Sequence, residues 1–145
     1  MMNFRNSVLI TLFLTMVVAG CSQSTNQQQA AGSETTVSEG MLQHNVFFYL
    51  KDDVTTDQRA QFEEGLKILL AIDEVYDYQI GIPGDTEQRD VTDHSFGYSF
   101  SSWFENLEDY QVYAEHPVHL EFIDEYEDLW AEVRVYDSEV IATKE

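Results

Sequence analysis

Four histidines and one tyrosine carry the chemistry this chain can do. Two of the histidines, His116 and His119, fall in the stretch YAEHPVHLEF, where Tyr113 precedes them and Pro117 separates them. A histidine beside a phenol can take a proton from the carbon next to a carbonyl, while the phenol polarises the developing enolate. Tyr113 and His119 are six residues apart across a proline break, so they need not share one helix face, but the break can fold them together over a cavity. The plain structural alternative is that His119 caps or packs a helix and Tyr113 is a core aromatic. A second chemistry is a metal site in which His116 and His119 join Glu115 or Glu121. The H-x-x-H spacing is not the four-residue step of helical zinc pairs, and no cysteine or further histidine pair follows, so no metal is expected. His44 and His94, with Phe96 and Tyr98, are candidates for lining a ligand pocket. No glycine-rich phosphate cradle or nucleophile elbow is present, and no cofactor is expected.

The elements that must position these residues are legible from periodicity. MLQHNVFFYLK alternates with both faces committed: Leu42, His44, Val46, Phe48 and Leu50 on one, Phe47 and Tyr49 on the other. Thr55-x-x-Gln58 reads as a capping box for a helix with the stripe Phe62, Leu66, Leu69 and Leu70, ending near Ile72. A second strand carries Tyr76, Tyr78, Ile80 and Ile82 on one face and stops at Pro83-Gly84. After a polar loop from Asp85 to Thr92, DHSFGYSFSS predicts a third strand with His94, Phe96, Tyr98 and Phe100 on one face. Ser102-x-x-Glu105 predicts a second capping box, opening a helix through Trp103, Leu107, Tyr110 and Tyr113. Pro117 suits the first turn of a further helix through Leu120, Phe122, Ile123, Tyr126 and Leu129. A last strand follows in LWAEVRVYDSEVI.

This order, β-α-β-β-α-(α)-β, predicts an α+β, ferredoxin-like fold: a four-stranded antiparallel sheet with helices on one face. A first strand apolar on both faces needs a cover on the side the helices leave open. The simplest cover is a second copy, which predicts a homodimer closed as a dimeric α/β barrel.

The N-terminus and the charge set the setting. One cation, Arg5, precedes an apolar run from Val8 to Val18, then Ala19-Gly20-Cys21. The run is too short to span a membrane and suits a signal peptide. The segment resembles a bacterial lipoprotein signal with Val18-Ala19-Gly20-Cys21 as lipobox. That resemblance implies removal of residues 1–20, lipidation of Cys21, and a place in the cell envelope on the extracytoplasmic side, with the lipid as the only membrane contact. Residues 21–40 lack apolar periodicity and read as a tether. From Met41 onward, 25 acids face 6 bases, a net charge of −19. Coulomb repulsion at that charge argues against nucleic acid and against docking flat on anionic lipid.

Residues 41–142 resemble the stress-responsive A/B barrel, or Dabb, domain family. The resemblance is carried by Leu42-x-His44-x-Val46, by Val75 through Gly81, by His94-x-Phe96 through Phe100, and most specifically by Tyr113-x-x-His116-Pro117-x-His119-x-x-Phe122 with Trp130 and Asp137 downstream. It implies a ferredoxin-like fold and a homodimer, but no single activity. Plant members include stress-induced proteins and olivetolic acid cyclase, in which the histidine matching His119 is the catalytic base and the tyrosine matching Tyr113 assists it. The functional expectation is a module that holds a small apolar or aromatic ligand. The alternative is a cyclase or isomerase with His119 as base and Tyr113 assisting. A more distant one, by fold analogy alone, is a monooxygenase-like activity.

Overall fold

A computed structural model describes residues 36–144. The expected signal peptide, Cys21 and the tether up to residue 35 lie outside them. The described chain forms β1 (Leu42–Leu50), α1 (Thr56–Leu69), β2 (Asp77–Gly81), β3 (Tyr98–Phe104), α2 (Leu107–Glu115), α3 (Pro117–Tyr126), a single 3₁₀ turn over Glu127–Leu129, and β4 (Trp130–Glu139). The strands lie in the order β2-β3-β1-β4, all neighbours antiparallel.

This is the ferredoxin-like arrangement with helices on one face, but the expected closure into an α/β barrel is not met. The sheet is open. Among the described residues β2 pairs only with β3 and β4 only with β1, which leaves both as edges. Closing a sheet on itself requires enough strands at a fixed tilt and stagger, typically about eight, and four twisted strands do not reach round.

β1 sits centrally because it can bury both faces. His44, Val46 and Phe48 point to the helices and are buried. Opposite them across the ladder stand Ser102, Phe100 and Tyr98 of β3, and Asp137, Val135 and Val133 of β4. α1 opens with the predicted capping box: Gln58 N–H donates to Thr55 Oγ1 (3.2 Å), and Thr55 N–H donates to Gln58 Oε1 (2.9 Å). Its stripe places Phe62, Leu66, Leu69 and Leu70 at 2% exposure or less. Each such side chain stabilises the fold by roughly 1.5–3 kcal/mol. Around them Phe62 meets Phe48 edge-on at 5.1 Å and Phe122 at 5.5 Å, and Trp130 meets Phe48 at 5.2 Å.

Two boundaries differ from expectation. β3 begins at Tyr98 and runs through Phe104, so His94 and Phe96 belong to the preceding loop, and Ser102–Glu105 is not a cap. Asn106 caps α2 instead, its side-chain oxygen accepting from Asp109 N–H (3.0 Å). The alternation of the third strand extended five residues too far because tertiary contacts, not pattern, set its start. Gly97 N–H donates to Phe48 O (2.7 Å), and Asp93 accepts from Ser95 N–H (2.8 Å) and Ser95 Oγ–H (2.6 Å), which turns the chain.

That loop then crosses the helix-free face. Phe96 packs edge-on against Phe47 (5.2 Å), and the Tyr49 hydroxyl donates to Asp93 (2.8 Å). Tyr136 of β4 joins Phe47 at 6.0 Å, and the Arg134 guanidinium lies 4.5 Å over the Tyr49 ring.

Candidate functional site: a cavity between the sheet and the last two helices

The chemistry-bearing residues converge on the opposite, helix-covered side. Pro117 fills the first position of α3, where a missing N–H costs nothing, and His116 caps it: its Nδ1 accepts from Val118 N–H (3.2 Å). α2 ends at Glu115, immediately before this cap. The resulting corner brings Tyr113, from the last turn of α2, against His119, from the first turn of α3. Their ring centroids are 4.9 Å apart, inclined at 57°.

Both rings face a cavity of about 380 Å³. His44, Tyr110, Tyr113 and His119 supply its polar groups; Phe48, Leu69, Phe122, Trp130 and Val133 are among the apolar walls. His44 is nearly buried and hydrogen-bonds through Nδ1 to Asp137 Oδ1 at 2.6 Å. A carboxylate partner requires the proton on Nδ1 and leaves Nε2 as the remaining nitrogen. The ring of His44 stands 5.3 Å from Tyr110 and 6.1 Å from Tyr113.

Two polar atoms here are buried without a hydrogen-bond partner, Tyr113 Oη and His119 Nδ1. Leaving a buried polar atom unpaired costs about 1–3 kcal/mol, so such atoms mark a place where the fold serves something other than its own stability. Burial raises the pKa of the Tyr113 phenol, with the neighbouring Tyr110 adding to the effect. Burial lowers that of His119; the Ala114 carbonyl opposes the shift and the charge of His44 adds to it. The phenol therefore stays protonated and can donate, and the imidazole is held neutral and can accept a proton.

Of the other sequence candidates, His116 opens onto a separate surface cleft with Ile68, Asp73 and Val118. Its Nδ1 is engaged by the cap, so it does not join His119 as a ligand pair. His94 does not reach the cavity either; its Nε2 lies 3.0 Å from Thr86 Oγ1 in the loop. Phe96 lies on the helix-free face, against Phe47. Tyr98 is on the helix side, but its hydroxyl donates to Glu63 (2.6 Å); burial and then that carboxylate push its pKa up to about 12. These three were assigned to the pocket by an alternation carried too far upstream, or by the right face at the wrong end of the strand. Asp137 and Tyr110 are the residues that sequence reasoning gave no role. The signal for Tyr110 was its three-residue step from Tyr113; the pairing of Asp137 with His44 had no local signal, since 93 residues separate them.

With this geometry in place, comparison with known proteins is decisive for kinship. The model of the Stress responsive A/B Barrel Domain, Dabb, matches residues 42–140. This chain belongs to the Dabb family. It is 30% identical over 104 residues to the stress-response A/B barrel domain-containing protein At5g22580 of Arabidopsis thaliana, covering 71% of this chain and 89% of that one. Among solved structures, a dimeric ferredoxin-like protein of unknown function from Thermobifida fusca aligns with a TM-score of 0.59 at 19% identity, over 72% of this chain and 95% of that one. The hydroxynitrile lyase of Passiflora edulis aligns with a TM-score of 0.60 at 18% identity, over 74% of this chain and all of the other. At those identities the two structures speak for the fold that Dabb proteins share, and for nothing finer.

Proposed function

We propose that this Dabb protein is a binding module, exported and lipid-anchored through Cys21, whose cavity holds one small apolar or aromatic molecule bearing a carbonyl or hydroxyl. The observation that carries this reading is the pair of buried, unpaired polar atoms, Tyr113 Oη and His119 Nδ1, on two residues that line a cavity that is otherwise largely apolar. A ligand oxygen between them would satisfy both, and the surrounding rings would bury its body. The test is organic extraction and untargeted mass spectrometry of the full chain purified from membranes. A small molecule is expected from the wild type and not from Val133→Trp, which puts an indole into the space the ligand would occupy. Equal recovery from both would place any such molecule elsewhere.

A second reading is favoured by the protonation states. With His119 neutral and the Tyr113 phenol a firm donor, the pair suits an enzyme of cyclase or isomerase type. His119 would accept the proton from the carbon beside a carbonyl; the C–H electron pair would move into the enolate, whose oxygen Tyr113 would hold by a hydrogen bond. General-base help of this kind is worth on the order of 10²–10⁴-fold in rate. Turnover that survives His119→Ala unchanged would remove the base assignment.

The helix-free face, where Tyr136 is exposed and Phe47 and Trp103 are half-buried, supports a homodimer in which a second copy covers it without closing the sheet. The Thermobifida fusca relative is itself described as dimeric. Light scattering on the soluble fragment from Met41 is expected to give twice the monomer mass; only monomer in physiological salt would sink the assembly. Export and anchoring rest on the sequence of residues 1–21, and loss of radiolabelled palmitate from Cys21→Ala is the matching check.

A further inference from the structure

The charges around the cavity carry a conclusion about its ligand that the shape alone does not. No lysine or arginine of the described residues lines it. Its ionisable walls are two histidines and two tyrosines, and behind His44 stands a carboxylate, Asp137, at 2.6 Å. If His44 is neutral, the His44–Asp137 pair presents one net negative charge; if His44 is protonated, the pair sums to zero. His119 offers no compensation, because burial disfavours its cation. In neither state of the dyad does the cavity turn a net positive potential toward a ligand. The field of Asp137 reaches inside: after burial, its charge is what raises the pKa of Tyr110, a residue of the cavity wall. Asp137 is itself held in place by the fold, directly across the ladder from His44 on the helix-facing side of β4.

We propose that Asp137 makes this cavity selective for uncharged ligands, so that it accepts neutral aromatic or alicyclic carbonyl and hydroxyl compounds and rejects the corresponding carboxylates and sulfonates. The proposal rests on the cavity being a ligand site, as argued above, and adds which chemical class that site takes. The physical basis is desolvation: an anion entering an apolar cavity loses its hydration and meets no counter-charge, whereas a neutral molecule of the same frame loses little. Asp137→Asn keeps the shape and a hydrogen-bond acceptor for His44 but removes the balancing charge. With that negative charge gone, an anion in the cavity meets less repulsion, and anions gain.

The experiment uses two fluorescent dyes with one aromatic frame, neutral N-phenylnaphthylamine and anionic anilinonaphthalene sulfonate, titrated into the full chain. The neutral dye is expected to bind wild type and to lose binding in Val133→Trp. The anionic dye is expected to bind wild type at least about tenfold more weakly, and Asp137→Asn to recover about tenfold for the anion alone. Asp85→Asn, an equal change of total charge on a distant exposed loop, should leave the ratio of the two affinities unmoved. Should the amide disturb the sheet edge, Asp137→Ser repeats the measurement. If the neutral dye does not bind, or binds Val133→Trp equally well, the cavity reading and the selectivity fall together. If the neutral dye binds in the cavity but the two wild-type affinities agree, or Asp137→Asn and Asp85→Asn behave alike, the selectivity alone is overturned.

Discussion

Tyr113 and His119 stand with ring centroids 4.9 Å apart at the corner between α2 and α3, and each keeps one buried polar atom unpaired. A pair packed only for stability would not keep both. Tyr113→Phe removes the unpaired hydroxyl and leaves the ring, so the protein without ligand should become more stable, by about 1 kcal/mol. Urea unfolding checks this: the midpoint rises at unchanged slope. A loss of stability instead would mean that the hydroxyl has a structural partner.

The corner depends on His116. Its Nδ1 is the side-chain acceptor for the Val118 N–H at the start of α3. His116→Ala should cost about 1 kcal/mol, and His116→Asn, a good cap with similar reach, should restore most of it. Because His119 is in the same helical turn, the alanine variant should also move the His119 ring resonances in an NMR spectrum, and the asparagine variant should leave them near wild type.

Gly65 should defy the usual rule for helices. Glycine to alanine inside a helix ordinarily stabilises by about 1 kcal/mol. Here an added Cβ would lie 2.5 Å from the Tyr126 ring, which is held by Phe62 at 5.5 Å, by Phe122 at 5.1 Å, and by its own hydroxyl donating to Gln61 O (3.2 Å). Gly65→Ala is expected to destabilise by about 1–3 kcal/mol, read from the thermal midpoint.

Asp93 sets an acid limb. The Ser95 hydroxyl, the Ser95 N–H and then the Tyr49 hydroxyl bind its carboxylate, with Arg134 adding charge, and hold its pKa at about 2. That value lies below the ordinary 3.8, so the unfolded chain binds the proton first as pH falls. The contribution of Asp93 is therefore complete above about pH 4 and is lost as pH drops toward 2. Unfolding midpoints between pH 5 and 2 should fall less steeply for Asp93→Asn than for wild type; parallel curves would show that the loop contacts do not matter to the folded state.

Much of this could be read locally. The Thr55–Gln58 capping box, the stripe of α1, the two-faced pattern of β1 and the role of Pro117 are each written in spacings of two to four residues, and short-range backbone geometry enforces them. The start of β3 was not legible, because residues 93–97 alternate like a strand while Asp93 turns the chain through Ser95 and Phe96 is drawn onto Phe47, more than forty residues away.

The sequence by itself determined the element order, the acidic charge, the helix break and the family signature that contains Tyr113, His116 and His119. Those properties follow from local periodicity, composition and the fixed backbone of proline. Only the tertiary structure decided which of the four histidines meet. It put His44 and His119 on one cavity, gave His44 to Asp137, turned His116 into a cap and left His94 in a loop. It also left the sheet open at both edges, because four strands pair in sequence-distant register and have no further partner within the described residues. Contacts such as His44 with Asp137 depend on how β1 and β4 align, which no short stretch of either strand specifies.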